Sequence, residues 1–258
     1  MTEPFRYVLA RQLRLGLRER RRLMLGFEEA DLLANKMVDA IMRVVSDYEH
    51  EDVVGEEAFS EQLCGRLKET LSGFATETIQ WQADTATAER GRGRLLGRSL
   101  TKWKEEPELG ADLVMVLDVD TPEFSVKKGY LAQAKRLENG QIMDRSEHKR
   151  LIEQCDKMLS VTPACMVFLY SSSYVHVIPA AAITQYKGRN LYDIATYPLH
   201  VLYRDFAICW FGDPRIQATN RLALEGLRER LDAHAAIRLD GQPRFAGEMG
   251  EEWSGSKL

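Results

Sequence analysis

The chain has 258 residues, 45% of them apolar, and a formal net charge of −4, values that are ordinary for a folded globular protein of one large or two small domains. No run approaches the roughly 18 apolar residues of a membrane span, and the N-terminus is too charged for a signal peptide. We therefore expect a cytoplasmic protein that does not contact a membrane. With a negative total charge, nucleic-acid binding would have to come from a local basic patch.

The N-terminal third of the chain predicts helices. Leucines at 9, 13 and 17 recur at helical spacing within residues 5–48, and a second helical unit follows within residues 49–74, where Phe59, Leu63 and Leu67 share one face. Five arginines share one side of the first helix, as a solvated face or as phosphate contacts: Arg11, Arg14, Arg18, Arg21 and Arg22.

The middle of the chain predicts strands. Residues 77–84 alternate as in a strand, whereas the Gly- and Arg-rich segment 89–110 predicts a mobile loop or hairpin tip. Strands are expected at 111–119 and 129–136, joined by a long hairpin connection. A helix at 147–162 with Pro163 just past its end, two strands around a turn at Ser171 to Ser173, and a helix at 215–234 follow. The order predicts an α/β fold with a mixed sheet flanked by helices.

Three polar residues interrupt the two central apolar strands. Asp112 opens the first of these strands, and Gln133 and Lys135 point to one face of the second because side chains alternate along a strand. A carboxylate, an amide oxygen and the backbone carbonyl of Ala134 together suit Mg²⁺. Lys135 would neutralise charge that develops on a phosphate and orient the attacking water. The alternative is a surface salt bridge between Lys135 and some carboxylate.

Two further carboxylates are candidates for the same site. Glu108 lies four residues before Asp112, and Glu56 falls at the centre of the apolar face of the second helical unit. Glu56 is either a metal ligand or an exposed first-turn residue that the helix dipole favours.

The segment "GADL" followed by "QAK" resembles the PD-(D/E)xK nuclease superfamily with its restriction-endonuclease-like fold, most closely the Mrr-like branch in which Gln precedes the Lys. That core has a helix carrying a Glu, a β-meander carrying the Asp and the QxK, then a helix and another strand. The resemblance covers roughly residues 55–180 and matches Asp112, Gln133 and Lys135 one by one; Glu56 matches by its place on the helix alone. Gln154 resembles a Gln of RecB-like members, but Met158 stands where they carry a Tyr.

The resemblance implies an Mg²⁺-dependent DNA endonuclease, with Mn²⁺ as a substitute, in antiviral defence or a mobile element. Its domains would be a helical extension (1–50), a nuclease domain (51–240) and a flexible tail (241–258). The chain has no GxxxxGK[ST], HExxH or GxSxG motif, so ATPase or sensing activity would come from a partner protein; a homo-oligomer is also open. The alternatives are an inactive nuclease fold that binds DNA or assembles, because Gln133 replaces a carboxylate, and a helical DNA-binding regulator within residues 1–50.

Basic residues flank the candidate site in sequence and are candidates for phosphate contacts, with ordinary solvated charge as the alternative for each. The principal candidates are Arg90, Arg92, Arg94, Arg98, Lys127 and Lys128. Lys102, Lys104, Arg145, Lys149 and Arg150 extend this set. His148 is a further candidate for contact with DNA, whereas His176, between two valines, is expected to be structural.

The four cysteines predict neither a zinc site nor disulfides. None forms a CxxC pair, and none lies near a histidine at zinc-ligand spacing. We expect buried, reduced thiols at Cys64, Cys155, Cys165 and Cys209.

Overall fold

A computed structural model describes residues 27–49, 56–74, 92–101, 111–121, 124–231, 233 and 235–244. Its helices are α1 (Phe27–Glu49), α2 (Glu56–Phe74), α3 (Arg145–Val161), α4 (Ala180–Gln185), α5 (Leu199–Ala207) and α6 (Arg221–Arg230), with a 3-10 turn at Leu191–Asp193. Its strands are β1 (Arg92–Thr101), β2 (Leu113–Thr121), β3 (Phe124–Arg136), β4 (Cys165–Tyr170), β5 (Val175–Pro179) and β6 (Ala235–Arg244). Within these residues no helix combines the length and the apolar character that a membrane crossing needs.

The described strands form one mixed sheet in the order β1-β6-β2-β3-β4-β5. The central pair β2 and β3 is antiparallel, β4 runs parallel to β3, and β6 runs parallel to β2. The crossover from β3 to β4 contains α3, as a parallel connection requires. The predicted α/β fold with a mixed sheet flanked by helices is therefore confirmed.

Apolar layers cover both faces of the sheet. On one face, α1, α2 and α5 pack against alternate residues of the strands, such as Leu113 and Ala132. On the other face, α3, α4 and α6 pack against the intervening residues, such as Val114 and Leu131. Because side chains alternate along a strand, successive strand residues belong to opposite faces and so to different cores. The same alternation determines the face on which each polar side chain of the candidate site lies.

The helix α3 shows how the local sequence sets an element. The Asp144 carboxylate accepts a hydrogen bond from the Ser146 backbone N–H (2.7 Å), which caps the first turn. Leu151, Cys155 and Met158 then form the buried stripe at helical spacing. The helix ends at Val161, two residues before Pro163, as the sequence predicts.

The predicted long connection between the two central strands is wrong. The strands β2 and β3 continue through it as a hairpin whose last register pair is Thr121 with Phe124, so residues 122 and 123 alone lie between them. Lys127 and Lys128 are therefore strand residues. The Pro and the acidic residues of "DVDTPEF" favoured a loop, but cross-strand pairing outweighs these local preferences.

The predicted Gly- and Arg-rich loop is also corrected, because residues 92–101 form β1, which pairs antiparallel with β6. The sequence predicted no strand at β6, which continues to Arg244 and so passes the predicted start of the tail. It lies between β1 and β2, and the first three strands along the chain therefore do not form a continuous meander.

The N-terminal helix belongs to the same core as the sheet. Ala34, Met37 and Ile41 of α1 are fully buried in the cluster that contains Met115 and Tyr130. Residues 1–26, with the predicted arginine stripe, and the predicted strand at 77–84 lie outside the described residues. The last predicted long helix begins at Arg221, and α5 was not predicted.

All four cysteines are unpaired, as expected, and three of them are buried. Cys209 differs, because it is half-buried and adopts a positive φ of 66° after α5. Burial raises the pKa of the Cys64, Cys155 and Cys165 thiols to about 12, so these side chains act as small apolar groups.

Candidate functional site

The backbone of Asp112 lies between two neighbouring strands just before β2. Its N–H donates to the Ala132 carbonyl (3.0 Å), and its carbonyl accepts from the Ala235 N–H (2.7 Å). The register of the β2–β3 hairpin begins with Leu113 opposite Ala132, which places Asp112 beside Gln133. Strand pairing thus produces the adjacency that the sequence predicts.

The side chains of Asp112 and Gln133 contact each other in the interior. Asp112 Oδ2 accepts a hydrogen bond from Gln133 Nε2 (2.6 Å) and another from the Ala134 backbone N–H (2.8 Å). Asp112 is 5% exposed and Gln133 is 2% exposed. Because a buried carboxylate is costly unless it is compensated, these hydrogen bonds identify a polar centre at this end of the sheet.

The side-chain oxygen of Gln133 has no hydrogen-bond partner among the described residues. This oxygen, Oε1, is buried, while Gln133 Nε2 also donates to the Ala134 carbonyl (3.1 Å). Buried polar atoms almost always have a partner, so an orphaned amide oxygen beside a carboxylate calls for an explanation. Carboxylate, amide and carbonyl oxygens are the ligands that Mg²⁺ takes, so the donor set fits this cation.

Asp112 is the carboxylate that contacts Gln133 at this centre. Within the described part of the chain, no three Asp, Glu, His or Cys side chains come close enough together to hold a metal ion. An oxygen site of this kind would therefore rely on the amide and carbonyl oxygens, on water, and on substrate phosphate to complete the coordination shell.

Lys135 lies two residues beyond Gln133 on β3 and is half-buried. Alternation places both on the sheet face that carries Leu131 and Val167. The register pairs Lys135 with Leu169 of β4, close to the end of both strands. The ammonium is thus held by a strand at the same end of the sheet as Asp112.

Glu56 is the first residue of α2, and its side chain lies outside the described residues. The ring of Phe59, nearly one turn further, stacks on Tyr170 with centroids 4.0 Å apart, at the end of β4. The helix therefore begins at the same end of the sheet as Lys135, but it packs on the opposite face. A contribution from Glu56 requires its carboxylate to reach around the end of the sheet.

The other additional candidates are less informative. Glu108 lies outside the described residues. Gln154 is half-buried on α3, beside the apolar stripe of that helix. His148, proposed as a DNA contact, is buried in the first turn of α3, and its Nε2 has no hydrogen-bond partner among the described residues. Burial, followed by the charge of the nearby Arg189, lowers the pKa of His148. Because its side chain is buried, His148 is no longer a candidate for a surface contact with DNA.

The two lysines predicted to contact phosphate, Lys127 and Lys128, have different environments. Lys128 is corrected: it is 4% exposed, its Nζ donates to the Phe211 carbonyl (2.6 Å), and it lies 4.8 Å from the centroid of the Phe206 ring. Burial lowers the pKa of Lys128 to about 8, so this ammonium is a core group that does not reach a phosphate. Lys127 is half-buried, with Nζ 3.9 Å from Asp118 Oδ1.

The arginines remain predictions. Arg92, Arg94 and Arg98 occupy alternate-numbered positions of β1, and their side chains lie outside the described part of the structure, as does Arg90 altogether.

Comparisons with protein-family models, with curated proteins and with solved structures found no match.

Proposed function

We propose that the protein is a magnesium-dependent nuclease that hydrolyses phosphodiester bonds in DNA, with its reaction centre at Asp112, Gln133 and Lys135. The observation that carries this proposal is the buried Asp112–Gln133 contact, whose amide oxygen has no partner among the described residues, on the strand that also carries Lys135. The resemblance of "GADL" and "QAK" to the PD-(D/E)xK superfamily supports the same assignment and suggests a role in antiviral defence or a mobile element.

Each residue has a distinct part in this proposal. The Asp112 carboxylate, Gln133 Oε1 and the Ala134 carbonyl would hold the cation. When bound, Mg²⁺ polarises the phosphate and lowers the pKa of a water molecule. Lys135 stabilises the negative charge that grows on the phosphate oxygens and orients the water that attacks. Such electrostatic stabilisation is worth several kcal/mol in a water-poor site, on the order of 2.7–4 kcal/mol for one well-placed donor.

The first test replaces the carboxylate. Asp112→Asn has the same shape but removes the charge that attracts the cation, so we expect plasmid cleavage in magnesium to fall by about 100-fold or more. Asp156→Asn is the matched control, because Asp156 is an exposed aspartate on α3 outside the site. Cleavage by Asp112→Asn at the rate of the Asp156→Asn control would exclude this centre, provided that circular dichroism shows both variants folded.

A second candidate is a nuclease fold that binds DNA without cutting it. The observation in its favour is that Gln133 Nε2 and the Ala134 N–H already satisfy Asp112 Oδ2 without a cation. Calorimetric titration with Mg²⁺ or Mn²⁺ separates the two. Heat of binding that disappears in Asp112→Asn supports the nuclease. Intact DNA binding without any cation binding supports the inactive module.

A further inference from the structure

Three aromatic rings cluster next to the candidate site. The rings of Tyr174 and His176 meet edge-on with centroids 4.9 Å apart, and His176 meets Tyr192 in the same way at 5.2 Å. Tyr174 is 47% exposed, and the other two side chains are half-buried. We refer to these three residues as the aromatic cluster.

Hydrogen bonds hold the aromatic cluster in place. Tyr192 Oη donates to the carbonyl of Leu137, the residue that follows β3. The turn before Tyr174 is closed by the Ser171 N–H, which donates to the Tyr174 carbonyl (2.9 Å), and by the Tyr174 N–H, which donates to Ser171 Oγ (3.2 Å). Because the Ser172 N–H and hydroxyl also bond Glu138 Oε2 (3.2 and 3.1 Å), the turn is tied to the chain just after Lys135. A preorganised ring loses little entropy when a ligand stacks on it.

The sheet register connects the aromatic cluster with Lys135. Lys135 pairs with Leu169, and Leu169 pairs with His176, so the three residues lie side by side on one face. Two strand spacings place the backbone of His176 about 10 Å from that of Lys135. Tyr174 lies two residues earlier on the same face, just before β5. It is at the end of the sheet where β4 ends, because Val175 pairs with Tyr170.

We propose that the aromatic cluster stacks an unpaired base of the DNA strand that is cut at Lys135, so that the substrate carries single-stranded nucleotides beside the scissile phosphate. This inference rests on the proposed function. A base inside a duplex has both faces covered by its neighbours, and an exposed tyrosine ring can stack on a base that is unpaired. Burial lowers the pKa of His176, which keeps its ring neutral near neutral pH and suits stacking better than ion pairing.

A basic residue close to the turn before Tyr174 fits a ligand with a phosphate backbone, and alternation places it on the sheet face opposite Lys135. Arg136 follows Lys135, its side chain is 53% exposed, and its Nε lies 3.6 Å from Glu138 Oε1. Single-strand sites combine such positive charge with stacking rings.

The test compares a labelled single-stranded oligonucleotide with the same sequence as a duplex, by fluorescence anisotropy of the full chain in EDTA. Tyr174→Ala should weaken single-strand binding by roughly 5- to 150-fold, the effect of losing one base–aromatic stack, and leave duplex binding unchanged. Tyr174→Phe keeps the ring and should bind like the wild type. Trp210→Ala removes a 70% exposed ring outside the aromatic cluster and serves as the control.

Two outcomes overturn the inference: wild-type protein that does not bind the single strand, or Tyr174→Ala that binds it as tightly as Trp210→Ala. Parallel reactions in magnesium separate this failure from failure of the proposed function. Single-strand binding that depends on Tyr174 without any cleavage supports the aromatic cluster and removes the nuclease assignment. Cleavage that is indifferent to Tyr174 and to unpaired nucleotides retains the nuclease and removes the aromatic cluster.

Discussion

Some buried polar residues connect separate segments of this protein through hydrogen bonds, and Asp213 is an example. Its Oδ2 accepts from Thr162 Oγ1 (2.6 Å) and from Arg215 Nη2 (2.6 Å), while its Oδ1 accepts from the Arg215 N–H (2.8 Å). Its backbone exchanges two hydrogen bonds with Gly129 of β3. One carboxylate thereby joins the loop before α6 to the end of α3, next to the middle of the sheet.

The hydrogen bonds from Arg215, followed by that from Thr162, hold the pKa of Asp213 well below its usual range. A carboxyl whose pKa is lower in the folded state contributes stability above its unfolded pKa, and this contribution is lost as the pH falls below about 4. We therefore expect Asp213→Asn to be less stable than the wild type near pH 7 and to lose less stability between about pH 5 and pH 3. Urea unfolding at these pH values measures both effects. Parallel pH curves for the two proteins would contradict the assignment.

At the scale of elements, β6 connects two parts of the sheet and carries a buried charge. Arg238 Nη2 donates to Asp118 Oδ2 of β2 (2.8 Å), and both side chains are 5% exposed. Asp118 also has Lys127 Nζ at 3.9 Å. The insertion of β6 between β1 and β2 is thus accompanied by an ion pair that crosses the strand boundary.

We expect Arg238→Met to lower the free energy of unfolding by about 3–5 kcal/mol, because it leaves Asp118 buried without its closest cation. The double variant with Asp118→Leu removes both charges and should recover most of that loss. Denaturant unfolding of the four proteins of this cycle gives the coupling energy. A double variant no more stable than Arg238→Met would show that the charges are not coupled.

The sequence predicted that Asp112 and Gln133 lie close together. Two local features bring them together: the pairing of two strands that are consecutive in the chain, and the alternation of side chains along each strand. Partners that are distant in the chain were not predicted. The pairing of β1 with β6 joins residues more than 130 positions apart, and the Gly and Pro of "LDGQPR" conceal the strand. Likewise, the sequence around Lys128 does not predict its contacts with the Phe206 ring and the Phe211 carbonyl, which lie about 80 residues further along the chain. The alternation of Tyr174 and His176 was a readable signal for the aromatic cluster, but its neighbour Tyr192 comes from another element.

For the whole molecule, the net charge of −4 means that the proposed DNA binding would depend on a local set of cations. If Arg90, Arg92, Arg94 and Arg98 bind phosphates, replacing all four with Ala should weaken binding about equally across unrelated sequences. The salt dependence should flatten by roughly 0.9 units of log–log slope for each duplex phosphate that the variant no longer neutralises. Binding isotherms at several salt concentrations measure this slope.

The control for the four arginines is the pair Arg221→Ala and Arg230→Ala, which removes two exposed charges from α6. It should leave the slope unchanged. If the quadruple variant keeps the wild-type slope, the four arginines do not bind phosphate.

The most direct test of the proposed reaction centre is the single-turnover rate of DNA cleavage in magnesium by Lys135→Ala, at saturating protein. We expect this rate to fall by about 100-fold or more, because the charge that stabilises the transition state is removed. The melting temperature of Lys135→Ala, which truncates a half-buried side chain at the end of β3, is measured alongside to show that the variant is folded under the assay conditions. Lys157→Ala, which replaces an exposed lysine on α3, should cleave like the wild type. Cleavage by Lys135→Ala at the rate of Lys157→Ala would contradict the assignment of Lys135 to the reaction centre.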